Sequence, residues 1–250
     1  MSANVPTDIR FSFSGLIQRG GRTGPHADGW GIAFYNGRGC YTFHDPAPSY
    51  SSKVAKLLQN HALKSRIVIC HIRKATSTRA CIENTHPFTR ELWGRDWALA
   101  HNGVLKGVRR WPLGYYRPIG TTDSEHAFCW MLGRIRKRFP KPPKKGRALS
   151  AYIRKLCAEV ARAGTFNMML SDSKALYCHC STELCWLTRR APFGKASLID
   201  TEMTVDFAEQ TTPKDIVTII ATRALTHDEP WQALERKSFT IFRNGKIISA

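Results

Sequence analysis

Two short runs of β character, Arg66–Ile72 and Trp97–His101, stop abruptly on polar residues, the first on Arg73 and the second on the Asn102-Gly103 pair. An apolar run bounded in this way reads as a strand whose end delivers a polar side chain from a fixed backbone. A third signal follows in Thr122-Asp123-Ser124-Glu125. Thr at a cap position with Glu three residues later is a capping-box pattern, and it opens a helix carrying Phe128, Met131, Leu132 and Ile135 on one face. Any fold for this chain must bring strand ends and a helix start into use together.

The remaining pattern mixes strands and helices, with strands often adjacent in sequence. Gly29–Tyr35 reads as a strand ending at the Asn36-Gly37 turn, and Cys40–Phe43 as its hairpin partner. Val54, Leu57, Leu58 and Ala62 have helical spacing from Ser51 to about Leu63, capped by Ser51 or Ser52. Arg134 to Lys145 reads as a Pro- and Lys-rich break. A further helix carries Tyr152, Ile153, Leu156, Cys157 and Val160 at buried spacing. The last third reads as short strands at Phe166–Leu170, Ala175–His179, Leu184–Thr188, Ile216–Ala221 and Phe239–Phe242, with a turn at Asn244-Gly245 before Lys246–Ser249. No internal repeat and no clean linker divides the 250 residues, so an α+β layered single domain is expected.

Net charge is +19, which favours anionic partners by long-range attraction without specifying a fold. No apolar run approaches the ~20 residues that span a bilayer, and residues 1–20 lack a signal-like apolar core. Several of the eight cysteines sit inside apolar runs, as in Ile67-Val68-Ile69-Cys70, where buried free thiols are expected. The expectation is a cytoplasmic protein without a disulfide framework. There is no P-loop and no strand-borne G-x-G-x-x-G, so no nucleotide cofactor is expected, nor any other.

Arg73, Asn102, Gly103 and Asp123 together suit a small amino acid held at both ends. A guanidinium pairs with an α-carboxylate in bidentate fashion. A carboxylate suits an α-ammonium. The Asn102 amide and the Gly103 N–H are donors of the kind a tetrahedral oxyanion needs, and glycine permits the backbone turn that aims such an N–H. Singly, each has an ordinary explanation: a surface Arg, an Asn-Gly turn, an Asp favoured by the helix dipole.

The ordered set His71-Ile72-Arg73 with Ala75-Thr76, Asn84-Thr85-His86-Pro87, His101-Asn102-Gly103 and Thr122-Asp123-Ser124-Glu125 resembles the glutaminase domain of class II glutamine amidotransferases, which are N-terminal-nucleophile hydrolases. It is most similar to the stand-alone bacterial members related to the yeast glutathione-degrading amidotransferase. Supporting stretches are His26–Gly31, Glu83–Phe88 and Arg189–Gly194, so the resemblance runs over nearly the whole chain. It implies a four-layer αββα sandwich with two antiparallel sheets, formed by a single domain over 1–250. It implies hydrolysis of a glutamine or γ-glutamyl amide, with Arg73 on the substrate carboxylate, Asp123 on its ammonium, Asn102 and Gly103 as the oxyanion hole, and Thr76 and His86 on the pocket wall. His71 and His101 are expected to be structural, hydrogen-bonded residues, and Asp28 a structural support. The ligand expected is glutamine or another γ-glutamyl small molecule, with a separate ammonia-using or peptidase partner, no membrane and no nucleic acid.

The family nucleophile is an N-terminal Cys whose own α-amino group, with a pKa near ~8, acts as base. This chain begins Met1-Ser2-Ala3-Asn4, a stretch that in the relatives follows that Cys by several residues. An internal start, a truncated gene, or Ser2 as substitute nucleophile would each account for this, and position argues against Ser2. The expectation is a chain inactive as written, short of its first few residues and of a mid-sheet strand whose loss costs about 1–3 kcal/mol per unfilled buried donor.

Three rival readings stand beside this one. Cys178-His179-Cys180 with Cys185 suggests a metal, but alternate strand residues face opposite ways and the spacing matches no zinc motif, so no metal is expected. The basic run Arg134–Arg147 suggests nucleic acid, without any accompanying recognition motif. A non-catalytic relative that binds γ-glutamyl compounds would keep the same pocket.

Overall fold

The computed structural model describes residues 1–76 and 78–248. In chain order the elements begin β1 (Ser2–Asp8), α1 (Arg10–Gln18), β2 (Trp30–Asn36), β3 (Gly39–Asp45), α2 (Lys53–Asn60) and β4 (Lys64–Ile72). They continue with β5 (Phe88–Glu91), β6 (Asp96–Asn102), α3 (Asp123–Arg138), α4 (Gly146–Val160), β7 (Asn167–Ser171) and β8 (Leu176–Cys180). The chain closes with β9 (Cys185–Arg190), β10 (Lys195–Ser197), β11 (Thr204–Asp206), β12 (Ile216–Ala221), β13 (Gln232–Ala233), β14 (Ser238–Arg243) and β15 (Lys246–Ile248).

Two large sheets result, in the orders β13-β9-β12-β1-β4-β2-β3 and β15-β14-β8-β7-β6-β5. Their neighbouring strands pair antiparallel. Alternation along the strands places Ala33, Tyr35, Ile67 and Ile69 of the first sheet against Ala98, Ala100, Leu176 and Cys178 of the second, an apolar layer between the sheets. Ile9, Phe13, Ile17, Ala55 and Leu58 cover the outer face of the first sheet through α1 and α2. The outer face of the second is covered by α3 and α4 with Phe128, Met131, Leu132, Ile153 and Leu156. This is the αββα layering expected. The Tyr35 hydroxyl crosses between the sheets, within 3.2 Å of the Asp96 carbonyl and 3.1 Å of the Ser171 carbonyl.

Most expected elements are present with ends moved by one or two residues, and three differences have physical causes. Helix α1 was not expected. Phe11 and Phe13 alternate like a strand, and Gly15 sits in its middle, yet both phenylalanines are buried and Gly15 packs so closely on Leu198 that a Cβ would lie 2.8 Å from its Cδ2. The Arg134–Lys145 break starts later, because α3 continues to Arg138. Arg134 lies 5.0 Å over the Trp130 ring and Arg136 3.8 Å over Tyr115, so the basic side chains lie along aromatic faces and the helix persists beneath them. Strand β1 contains Pro6 and shifts register between Ser2 and Thr7, a bulge that accommodates the missing N–H. Of the Lys246–Ser249 expectation, Ser249 lies outside the described residues.

Cys178 and Cys180 point into the inter-sheet layer, while His179 faces the other way and its Nδ1 meets the Phe166 carbonyl at 2.8 Å. All eight cysteines are free thiols. No helix among the described residues is long and apolar enough to cross a membrane.

The start of α3 departs from the capping box in one half. Thr122 Oγ1 accepts from the Glu125 N–H at 3.1 Å as expected. The Glu125 carboxylate instead takes the N–H groups of Ile119 (3.0 Å) and Gly120 (2.8 Å) and pairs with Arg90 at 2.6 Å. At 1% exposure its loss would leave a guanidinium and two N–H donors uncompensated. Glu125→Ala is therefore expected to cost about 3–5 kcal/mol of stability, read as a lowered urea midpoint. A loss below about 1 kcal/mol, the size of an exposed pair, would show that the loop does not depend on this carboxylate.

Candidate active site

Strand β4 ends at Ile72, and the next residue is tied down at once. The Arg73 N–H donates to the Gly29 carbonyl (2.7 Å) and the Asp28 N–H to the Arg73 carbonyl (3.0 Å). Asp28 Oδ2 then accepts from the Ala75 N–H at 2.8 Å. Asp28 is thus the support expected of it. The Arg73 guanidinium is buried, with Nη1 on the Asp28 and Arg79 carbonyls and Nη2 on the Thr78 carbonyl and hydroxyl. Among the described residues no carboxylate pairs with it. Thr76 stands exposed on the same loop.

Strand β6 ends on Asn102, which is exposed and makes one long bond, Nδ2 to Thr222 Oγ1 at 3.4 Å. Gly103 follows with φ of +148°, and a Cβ there would stand 2.1 Å from the Thr165 carbonyl oxygen. Only glycine fits that approach. His101, just before, donates from Nε2 to the same Thr165 carbonyl at 2.9 Å and accepts at Nδ1 from Ser124 Oγ at 2.8 Å. A carbonyl can only accept, so Nε2 carries a hydrogen, and burial, which lowers the pKa, favours the neutral ring in which Nδ1 accepts.

Ser124 adjoins Asp123, the first residue of α3. Asp123 Oδ2 accepts from the Leu105 N–H at 2.7 Å and Oδ1 from the Ser124 N–H at 2.8 Å. Among the described residues it has no cationic partner. The structure therefore ties Asn102 and Gly103 to Asp123 through the His101–Ser124 bond. Arg73 joins them by a second route. The Arg79 carbonyl accepts from Arg73 and from Asn84 Nδ2 (3.1 Å), and Asn84 Oδ1 accepts from the Thr121 N–H at 2.8 Å, two residues before Asp123. Asn84 was not singled out from sequence. It heads the Asn84-Thr85-His86-Pro87 motif, which is the signal that points to it, without a role being assigned there.

A cavity of about 820 Å³ opens beside these residues. Strands β4 and β12 run on past Met1, and Cys70 and Ile72 of β4 face Ile219 and Ala221 of β12 across it. Asn102, His71 and His101 line it, whereas Arg73, Thr76, His86, Gly103 and Asp123 stand outside its lining. At its mouth Arg19 pairs with Asp200 at 2.6 Å, and Thr23 Oγ1 donates to the same carboxylate at 2.7 Å. No local signal marks that pair, since the partners lie 181 residues apart.

His86 lies one ring behind the cavity wall. Its centroid is 4.5 Å from that of His71 and 4.4 Å from that of Phe88, and neither of its nitrogens has a partner. His71 packs against it with the rings tilted by 48° and forms no ring hydrogen bond among the described residues, unlike the bonded His71 expected. Gly31 makes room for this packing, as a Cβ there would stand 2.3 Å from the His86 carbonyl oxygen. Burial, then the charges of His101, His26 and Arg73, hold the His71 pKa down to about 3. Burial also holds His86 well below the usual range, and lowers His101. Cys70 is the cysteine on the cavity wall, and burial pushes its thiol up to about 12.

A family model described as class-II glutamine amidotransferases matches residues 1–250. The chain is 54% identical over 248 residues to YafJ of Escherichia coli (strain K12), designated a glutamine amidotransferase, covering 99% of this chain and 97% of that one. It is 44% identical over 249 residues to a Haemophilus influenzae protein with the same designation, covering 100% of this chain and 84% of that one. A predicted glutamine amidotransferase from Pseudomonas aeruginosa PA01, with a 2.0 Å crystal structure, superposes with a TM-score of 0.79 at 45% identity, covering 100% of this chain and 98% of that one. The glutamine phosphoribosylpyrophosphate amidotransferase of B. subtilis, at 14% identity and a TM-score of 0.59, shares the fold over 96% of this chain and 45% of its own.

The histidine cluster sets a pH dependence. His71 stays neutral in the fold down to pH about 3, whereas an unfolded imidazole protonates near ~6.5. Across that window the unfolded chain binds more protons, so stability is full above pH ~6.5 and falls with falling pH, by up to about 1.4 kcal/mol per pH unit for each such imidazole. His86→Phe keeps the ring stack and removes two unpartnered nitrogens. It is expected to flatten the fall of Tm between pH 6.5 and 4.5, and an unchanged slope would exclude His86 from it.

Proposed function

The chain belongs to the class-II glutamine amidotransferases, and from that premise we propose that its site hydrolyses the side-chain amide of glutamine, or a related γ-glutamyl bond, and passes on ammonia or the leaving amine. The observation that carries this reading is the pair of routes from Arg73 and from Asn102-Gly103 to Asp123, since one unpaired buried guanidinium and one unpaired carboxylate on a shared frame complement a zwitterionic amino acid. In this reading Arg73 binds the α-carboxylate and Asp123 the α-ammonium. The Asn102 amide and the Gly103 N–H receive the oxyanion. Thr76 and His86 shape the wall at one remove.

The nucleophile in this reading is a Cys with a free α-amino group, placed at the groove between β4 and β12. Its thiolate attacks the amide carbon, its amine passes the proton to the leaving nitrogen, and water releases glutamate from the thioester. No cysteine of the 250-residue chain meets that need. All are internal, and Cys70 at the groove is protonated at neutral pH.

The 250-residue form is expected to release no glutamate from glutamine at enzymatic rates, and a form with an N-terminal Cys on a groove-filling strand to do so. Turnover by the shorter form would overturn the assignment of the nucleophile. In the active form Asn102→Ala is expected to lower kcat by about 10²–10³-fold, the loss typical of one oxyanion donor. Asn102 is exposed and holds one long bond, so unfolding would not explain the loss. An unchanged kcat would place the oxyanion elsewhere.

A further inference from the structure

A second cavity, of about 480 Å³, shares no lining residue with the first. It lies within the size range of small-molecule sites, roughly 300–1,000 Å³. Five cationic side chains line it, Arg66, Arg95, Lys144, Lys174 and Arg243, against the single carboxylate of Asp172. Among the described residues none of the five lies within ion-pair distance of a carboxylate. Asp172 is itself buried, with Oδ1 occupied by the N–H groups of Lys174 (3.0 Å) and Ala175 (2.9 Å).

The arginines are the informative members. The Nε–H groups of Arg95 and Arg243 are both buried and lack any acceptor. Arg243 Nη2 comes within 3.8 Å of where a Cβ on Gly146 would stand, so its guanidinium lies at the first residue of α4. That helix begins without a side-chain cap, since Lys145 accepts no N–H through its side chain. In its first turn the Ala148 N–H bonds the Lys145 carbonyl at 3.2 Å, and Gly146 brings the positive end of the dipole to the same wall. Three kinds of positive group thus border one concave space: the side chains of Arg95 and Arg243, a helix start, and the exposed Lys144 and Lys174. Trp93, Pro142 and Pro143 give it an apolar side.

The basic run of the sequence is divided by this arrangement. The α3 arginines Arg134, Arg136 and Arg138 lie on aromatic rings. Lys144 belongs to the cavity.

We propose that this cavity binds a small phosphorylated compound through a diphosphate group. Several cations without counter-ions in so small a volume demand several negative charges on one ligand. The planar forks of Arg95 and Arg243 match phosphoryl oxygens better than a diffuse anion would. The site is one local concavity, unlike the extended tracks that bind nucleic acid.

The test is calorimetric titration of the 250-residue protein with inorganic pyrophosphate and with ADP at about 0.15 M salt, repeated on Arg95→Gln/Arg243→Gln. Saturable 1:1 binding that weakens at least tenfold in the double variant is the expected result. Equal affinities for the two ligands identify free diphosphate as sufficient, and tighter ADP binding adds a contact to the nucleoside; both support the proposal. If the double variant fails to fold, Lys144→Gln/Lys174→Gln, which alters exposed lysines alone, must show a several-fold loss. The proposal is overturned by no saturable binding, by equal binding in the variants, or by a single-stranded oligonucleotide that binds more tightly than either ligand and loses that affinity in the same variants.

Discussion

Both ring nitrogens of His101 are committed, and through them three distant parts of the chain meet: the end of β6, the start of α3 and the residue two before β7. The Thr165 carbonyl holds the Nε2 hydrogen and is also the atom that forbids a Cβ at Gly103. One backbone oxygen therefore fixes an imidazole tautomer and the conformation of the adjoining turn. Protonating the ring would put a hydrogen on Nδ1, where Ser124 Oγ now donates. The hydroxyl would be left to Asp123 Oδ1, already 3.2 Å away. Burial of the imidazole and its low pKa keep that exchange out of the neutral range.

Acidic residues in this protein are spent largely on backbone. Asp28, Asp96, Asp123, Glu125 and Asp172 each accept from main-chain N–H groups that no helix or sheet satisfies. Such bonds organise loops well because a carboxylate can take two donors at once. The consequence is electrostatic. With these acids turned inward, the outward field is more positive than a formal charge of +19 spread evenly would give. Among the arginines without an acid, Arg136 lies on the Tyr115 ring, Arg73 on backbone carbonyls, and Arg243 lines a concavity.

Local pattern made the strands and the later helices legible. Alternation in Trp97–His101 and the run from Arg66 to Ile72 gave β6 and β4 within two residues of their ends, and Thr122 gave the start of α3. The positions of Asn102, Gly103 and Asp123 at segment ends were legible for the same reason, since each sits where a periodic segment stops or starts. Helix α1 was not, because its periodicity is set by contacts with Leu198 and α2 rather than by its own residues. The bridging role of Asn84, itself a motif residue, and the Arg19–Asp200 pair were not legible because their partners lie 37 and 181 residues away. His86 was legible as a motif residue but not as one ring of a buried stack, which depends on Gly31 clearing space from another strand.

The Tyr35 hydroxyl meets backbone carbonyls of Asp96 and Ser171, not side chains, across the layer between the sheets. Sliding one sheet over the other by a residue would strand that hydroxyl in an apolar interior. The two sheets are thereby indexed to chain position, independently of which apolar side chains surround the peg. The same interior could be repacked with other residues of equal volume while the registry of the two layers, and with it the width of the groove they flank, is retained.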